Sequence, residues 1–232
     1  MQKSDGIAAG SVLGVVALFA FVPGVMDGFI AVTKAYPFLM SAFKFAVLAT
    51  FGECLGLRVA AGCWNKPGFG IIPKAFVWAF LGIGIRAAFA IFAGGAPVLL
   101  RDMGLTVAPD VLKVGELIDK LPVVVAISVT INLIFAPMFM TLHKVTDMHI
   151  AATGGTLKGF FSPINVAEIL SRVDWKALWG FVFKKTIPFF WIPAHIITFL
   201  IPPHFQVLYA AALGVILGLI LATSGRKKVR AA

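Results

Sequence analysis

The stretch "GIAAGSVLGVVALFAFV", residues 6–22, has no charged residue and, beyond Ser11, no polar side chain. Such a run is compatible with few structures. In hydrocarbon a backbone has no water to bond, so every N–H and C=O must be satisfied within the chain, which leaves helices and closed barrels. Barrel strands alternate apolar and polar residues over about 10 positions. This run and several others are continuously apolar, so the expectation is helical. The 232 residues are 60% hydrophobic and 13% charged, with mean hydropathy +0.98. That lies outside soluble globular composition.

Hydrocarbon about 30 Å thick takes roughly 20 apolar residues per crossing. Six crossings are expected, over Ile7 to Phe29, Pro37 to Arg58, Ile71 to Leu99, Leu121 to Leu142, Leu178 to Ile201 and Phe205 to Thr223. The fold class is therefore all-α, a polytopic transmembrane helix bundle. It forms a single domain over 1–225, followed by a basic cytoplasmic tail over 226–232. The alternative is five crossings: Pro23-Gly24 ends a short first helix and leaves "VMDGFIAVTKAY" as an interfacial piece.

Charge gives the orientation. With six crossings, fourteen Lys and Arg fall on the side of both termini, among them Lys66, Lys158, Arg172 and Arg226. Only Lys34, Arg101, Lys113 and Lys120 fall on the other. Positive loops stay cytoplasmic, which puts both termini in the cytoplasm or its equivalent, in a bacterial or organellar inner membrane. The net charge of +10 then reports orientation and contact with anionic headgroups; no soluble basic face for nucleic acid is visible. In the segment His143 to Ala177, Asn165 and Glu168 have the capping-box spacing of a surface helix. "PDVLKVGELIDK" reads as a second short surface helix. Gly6, Gly10 and Gly14, Gly52 and Gly56, and Gly214 and Gly218 recur every four residues. This spacing lets helices approach closely, either within the chain or between copies in a homo-oligomer.

Polar groups inside the crossings carry the functional expectation, because each ionisable one costs about 2.5–3.5 kcal/mol at mid-bilayer. They are Lys44, Glu53, Arg86, Asn132 and His195, with Thr198 three residues after His195 on the same face. At about 1.5 Å per residue, Lys44 is about 10 Å in from Pro37, Arg86 about 18 Å from Lys74, Asn132 about 18 Å from Lys120 and His195 about 15 Å from Lys185. Four helices thus bring polar groups to similar depth, and Glu53 is the one acid among them. Gathered round one cavity they make a net positive lining, suited to anions or small polar solutes. Otherwise each is a packing residue or pairs locally, Glu53 with Arg58 or Arg86. Pro193 removes the N–H that would bond the Phe189 carbonyl, so a bend is expected just before His195; Pro137 marks a second kink.

No catalytic set is present: there is no GxSxG, HExxH, P-loop or paired carboxylate, and His143 with His149 is weak as a metal pair. No cofactor or metal is expected. Cys54 and Cys63 read as free thiols.

"YPFLMSAFKFAVLATFGECL", "INLIFAP" and "WIPAHIITFLIPPHFQVLY" together resemble the Mpv-seventeen and peroxisomal membrane protein family. Gly52 and Glu53 stand at the family's Gly-Asp pair. Asn132 and Pro137 stand at its Gln and Pro, and Trp191 and Pro193 at its Trp-Pro with Ile192 inserted. His195 and Thr198 stand near its Gln and Asn, Phe199 matches with a one-residue shift, and Gln206 replaces its Arg. The likeness runs from about Tyr36 to Leu221 and implies a weakly selective channel of an inner organelle membrane. A passive channel or facilitator for small solutes is the functional expectation. The rival is a binding or scaffold protein whose buried polar groups only fix helix register.

Overall fold

A computed structural model gives the backbone of residues 3–230 and the side chains of 3–220 and 223. Among the described residues there is no strand. The elements are α1 (Lys3–Phe21), α2 (Val25–Ala35), α3 (Pro37–Ala61), α4 (Ile71–Asp102), the single turn α5 (Val111–Val114), α6 (Leu117–Ala152), the short α7 (Leu157–Phe160) and α8 (Val166–Ser171), α9 (residues 175–200) and α10 (Pro203–Arg230). Among the described residues five helices are long and apolar enough to cross a membrane: α1, α3, α4, α6 and α10 up to Ile220. α9 is a sixth rod, whose residues Leu178–Trp191 wind in wide π turns before Ile192–Leu200 return to α geometry. A shorter π stretch, Ile131–Phe135, interrupts α6.

Side-chain contacts fix the directions of the rods. Asp5 near the start of α1 takes a bidentate bond from Arg58 near the end of α3, at 2.7 and 2.8 Å, so these helices are antiparallel. This end is termed basal. Glu53 of α3 pairs with Lys74 at the start of α4, and Lys74 with Asp147 late in α6; α4 therefore rises from the basal end and α6 descends to it. Lys44 Nζ meets the His204 carbonyl at 3.5 Å and Gly52 meets Val215, so α10 descends parallel to α3. The start of α1 and the end of α10 share the basal end.

Glycine sets two of the closest approaches. A Cβ on Gly82 of α4 would lie 2.7 Å from the Ser41 carbonyl oxygen and 2.8 Å from Phe45 Cβ. The Ser41 hydroxyl uses that approach to donate to the Gly82 carbonyl at 2.6 Å. At the basal end the loops after α3 and α6 cross at Gly70 and Gly155, both left-handed at φ 71 and 69. Gly52 and Gly56 face Val215 and Gly218, so this small-residue stripe packs within the chain. Gly6, Gly10 and Gly14 meet nothing within 4 Å, and no residue of α1 is buried.

The larger core cluster is apical, and a smaller one of Val77, Leu81 and Ile150 lies at the basal end. Val123, Val124, Ile127 and Ala211 are fully buried, packed with Phe89, Phe199 and Val207. Large apolar side chains also point outward, Phe21 at 82% and Phe189 at 81% exposure among them. In water such apolar surface would drive association, whereas a bilayer would cover it.

Several segment boundaries differ from the sequence expectation, each for a physical reason. The first crossing does not run to Phe29. Pro23 lacks an N–H, Gly24 is left-handed at φ 81, and α1 stops at Phe21; α2 then packs against α3, where its Phe29 ring and Thr33 hydroxyl contact Lys44. The fourth rod is longer than Leu121 to Leu142, because His143 and Asp147 are paired and the helix continues through them to Ala152. "PDVLKVGELIDK" gives one turn and then the start of α6. The Asn165 cap forms as expected, its Oδ1 accepting from the Glu168 N–H at 3.2 Å. Of the basic tail, residues 226–230 continue α10 as helix, while 231 and 232 lie outside the described residues.

Candidate functional site

A cavity of about 390 Å³ lies between α3, α4, α6, α9 and α10. Its walls are Phe45, Ile85, Phe89, Phe135, Phe139 and small residues of α10. On four of the five rods that line it, the apical core lies further toward the opposite end: Val123 to Ile127 beyond Ile131, Ala96 and Leu100 beyond Phe89, Phe199 beyond His195, and Val207 beyond Ala210. The cavity is therefore closed apically by close-packed apolar side chains. Its basal end is lined by Glu53, His143 and the exposed Lys144.

The basal mouth is ionic. Glu53 accepts from Lys74 Nζ at 2.6 Å, from Trp78 Nε1 at 2.6 Å and faces His143 Nε2 at 3.2 Å. Lys74, 7% exposed at its side chain, also pairs with Asp147 and lies over the Phe69 ring. One buried ammonium thus bridges two carboxylates from two helices. This is how a cation survives desolvation that would otherwise cost several kcal/mol.

The inner end, or floor, is polar and uncharged in its hydrogen-bonding logic. Asn132 sits in the π stretch of α6 and is fully buried. Its Nδ2 donates to the Ser128 carbonyl at 2.8 Å and meets His195 Nδ1 at 2.8 Å. The carbonyl partner settles the amide orientation, since the reverse would set two oxygens against each other. His195 Nδ1 is then an acceptor and its proton sits on Nε2. The Trp191 ring lies 5.3 Å from that of His195 between centroids. Two buried polar atoms here have no protein partner: Asn132 Oδ1 and Trp191 Nε1.

Both kink prolines adjoin these groups. Pro137 follows the π stretch carrying Asn132, and Pro193 follows the one ending in Trp191. A proline cannot bond the carbonyl four residues back and its ring crowds that turn; a wider turn relieves the clash. Ser128 Oγ donates to the Ile192 carbonyl at 2.7 Å, so a donor reaches the disturbed backbone from α6.

Of the residues singled out in the sequence, Glu53, Asn132 and His195 line the cavity. Lys44 is 3% exposed and turned to α2 and α10, bonding Thr33 at 3.1 Å. Arg86 lies over the Phe38 ring at 5.8 Å. Thr198 is buried and spends its hydroxyl on the Ala194 carbonyl of its own helix at 2.9 Å. Neither Arg58 nor Arg86 is the Glu53 partner; Arg58 is held by Asp5. Sequence reasoning missed Lys74, Trp78, His143 and Asp147. Their signal is the pair of four-residue spacings, 74/78 and 143/147, which puts each pair on one helix face. Cys54 and Cys63 are free thiols. Among the described residues no group of three or more His, Cys, Asp or Glu forms a metal site. No protein-family model matches the chain, and neither a curated protein nor a solved structure matches it.

Proposed function

We propose that this chain is an integral membrane facilitator of six crossings, passing small uncharged polar or amphipathic solutes through the cavity between α3, α4, α6, α9 and α10. The observation that carries it is the cavity itself: an ionic mouth at the basal end, apolar walls and a polar floor under a packed apical core. That is a vestibule open to one side of a bundle and shut toward the other, and solute passes when the apical packing parts. α9 supplies the sixth crossing. The termini lie on the Lys- and Arg-rich side, which is the cytoplasmic face of a bacterial or organellar inner membrane. The motif resemblance to the Mpv-seventeen family points the same way.

The choice of solute departs from the anion preference expected of a net positive lining. Lys44 and Arg86 face away from the cavity, and round the mouth Glu53 and Asp147 offset Lys74 and Lys144. Nothing there favours an anion strongly. Transport is passive, as no nucleotide-binding motif is present.

Purified protein in liposomes tests this, loaded with uncharged, anionic and cationic solutes of matched size. Release of the uncharged solute above empty-vesicle background, ahead of both ions, is expected. Release of none of them would leave a binding or scaffold protein, with the buried polar groups serving helix register.

A further inference from the structure

We infer that the floor of the cavity is a head-group site for an uncharged ligand carrying a hydroxyl or carboxamide on an apolar body. The inference rests on the facilitator's cavity and names what it holds. Asn132 Oδ1 is a buried acceptor and Trp191 Nε1 a buried donor, and neither has a protein partner. His195, bonded to Asn132 through Nδ1 and with its ring 5.3 Å from that of Trp191, carries its N–H on Nε2. A buried polar atom without a partner is costly, so a group that satisfies both atoms binds with a gain that neither wall nor water-filled space supplies.

The chemistry of the three groups selects the ligand. Two N–H groups and one carbonyl oxygen call for a head that accepts and donates at once, as a hydroxyl or a primary amide does. An ionised carboxylate offers no proton to Asn132 and is desolvated with no cation among these three groups. An ammonium finds one acceptor and two N–H groups it cannot bond. The walls beside the floor are Ile85, Phe89, Ile131, Phe135 and Ala210, which suit an apolar body. A volume of about 390 Å³ falls within the roughly 300–1,000 Å³ of small-molecule sites.

The test uses the full chain in lipid nanodiscs, with binding to empty discs subtracted, and four probes on one skeleton: 2-phenylethanol, phenylacetate, 2-phenylethylammonium and the headless ethylbenzene. The expected result is saturable binding of 2-phenylethanol, roughly tenfold tighter than each of the other three. Trp191→Phe keeps an aromatic ring and removes only the donor. It should weaken the alcohol roughly tenfold, leave ethylbenzene unchanged and leave the melting temperature at or above that of the wild type, since an unpartnered buried donor is gone. Equal binding of all four probes, or a Trp191→Phe protein that binds the alcohol like wild type, overturns the assignment and leaves water alone on the floor. The four-probe comparison holds even if the variant does not fold. The two readings fail separately: head-selective binding without liposome flux removes the facilitator and keeps the site, and flux without head selectivity does the reverse.

Discussion

At the scale of single residues the cavity mouth is the most consequential contact, because one ammonium holds three helices together. Lys74 is 7% exposed and its two carboxylate partners are 21% and 36% exposed. Lys74→Met removes the cation and leaves Glu53 to His143 and Trp78, and Asp147 to solvent. Losing one side of a buried pair costs about 3–5 kcal/mol; the partial exposure of both acids sets the expected loss near the lower end. Glu53→Gln keeps Lys74 paired with Asp147 and should cost about 1–2 kcal/mol. The double variant should lose less than the sum, since no carboxylate is then stranded against α4. Thermal melting in detergent reads this cycle, and a Lys74→Met protein that melts with the wild type would show that the bridge carries no stability. Glu53 is legible in the sequence, being a lone acid inside an apolar run. Its partners are not, because residues 74, 143 and 147 lie near rod ends, where composition places them in loops.

At the scale of elements, the long helices are legible and the facing of α9 is not. The apolar segments expected from the sequence each fall mainly on helix, and Pro193 announces a disturbance in the one over Leu178 to Ile201. An α-helical wheel cannot say which side chains of α9 face inward, since the π turns of Leu178–Trp191 change the angle per residue over fourteen positions. Thr198, in the α-helical part of α9, shows a second limit. Spacing puts it beside His195, yet its hydroxyl turns back to the Ala194 carbonyl and packing buries it. Lys44 and Arg86 illustrate the same limit: depth follows from counting residues, whereas facing depends on neighbours such as α2 that only the fold supplies. Pro193→Ala restores an N–H within bonding range of the Phe189 carbonyl and removes the ring that crowds that turn. The protein should fold with unchanged or raised melting temperature, the new amide should be protected from hydrogen exchange, and solute flux should fall several-fold as Trp191 and the Ser128 contact to Ile192 shift. Wild-type flux with a protected amide would show that the wide turn plays no part in the path.

At the scale of the whole molecule the open matter is how the first helix sits, because α1 has no buried residue and is attached mainly at its ends. At its start Asp5 is gripped by Arg58 and by the Trp64 indole N–H at 2.9 Å. At its other end the Phe19 ring packs edge-on against Phe29 of α2, 5.3 Å between centroids. Those two anchors stand at opposite ends of the bundle, and nineteen residues rise about 28 Å, close to the thickness of hydrocarbon. A helix so placed, antiparallel to α3 and uncharged from Gly6 onward, is long and apolar enough to cross a membrane beside the bundle, as the six-crossing proposal requires. On that proposal both termini face the basal side, together with the loops after α3 and α6 that carry Lys66 and Lys158. In intact cells or organelles an impermeant reagent should leave tags at both termini unmodified, and permeabilising the membrane should expose both at once. Modification of the N-terminal tag alone in sealed membranes would mean that α1 lies on the far surface and that the chain crosses five times. Asp5→Asn in the same assay separates the anchor from the hydrophobic run. If the apolar stretch alone holds α1 in place, the labelling pattern stays that of the wild type; if the Arg58 grip sets the direction of insertion, an N-terminal fraction becomes accessible from outside.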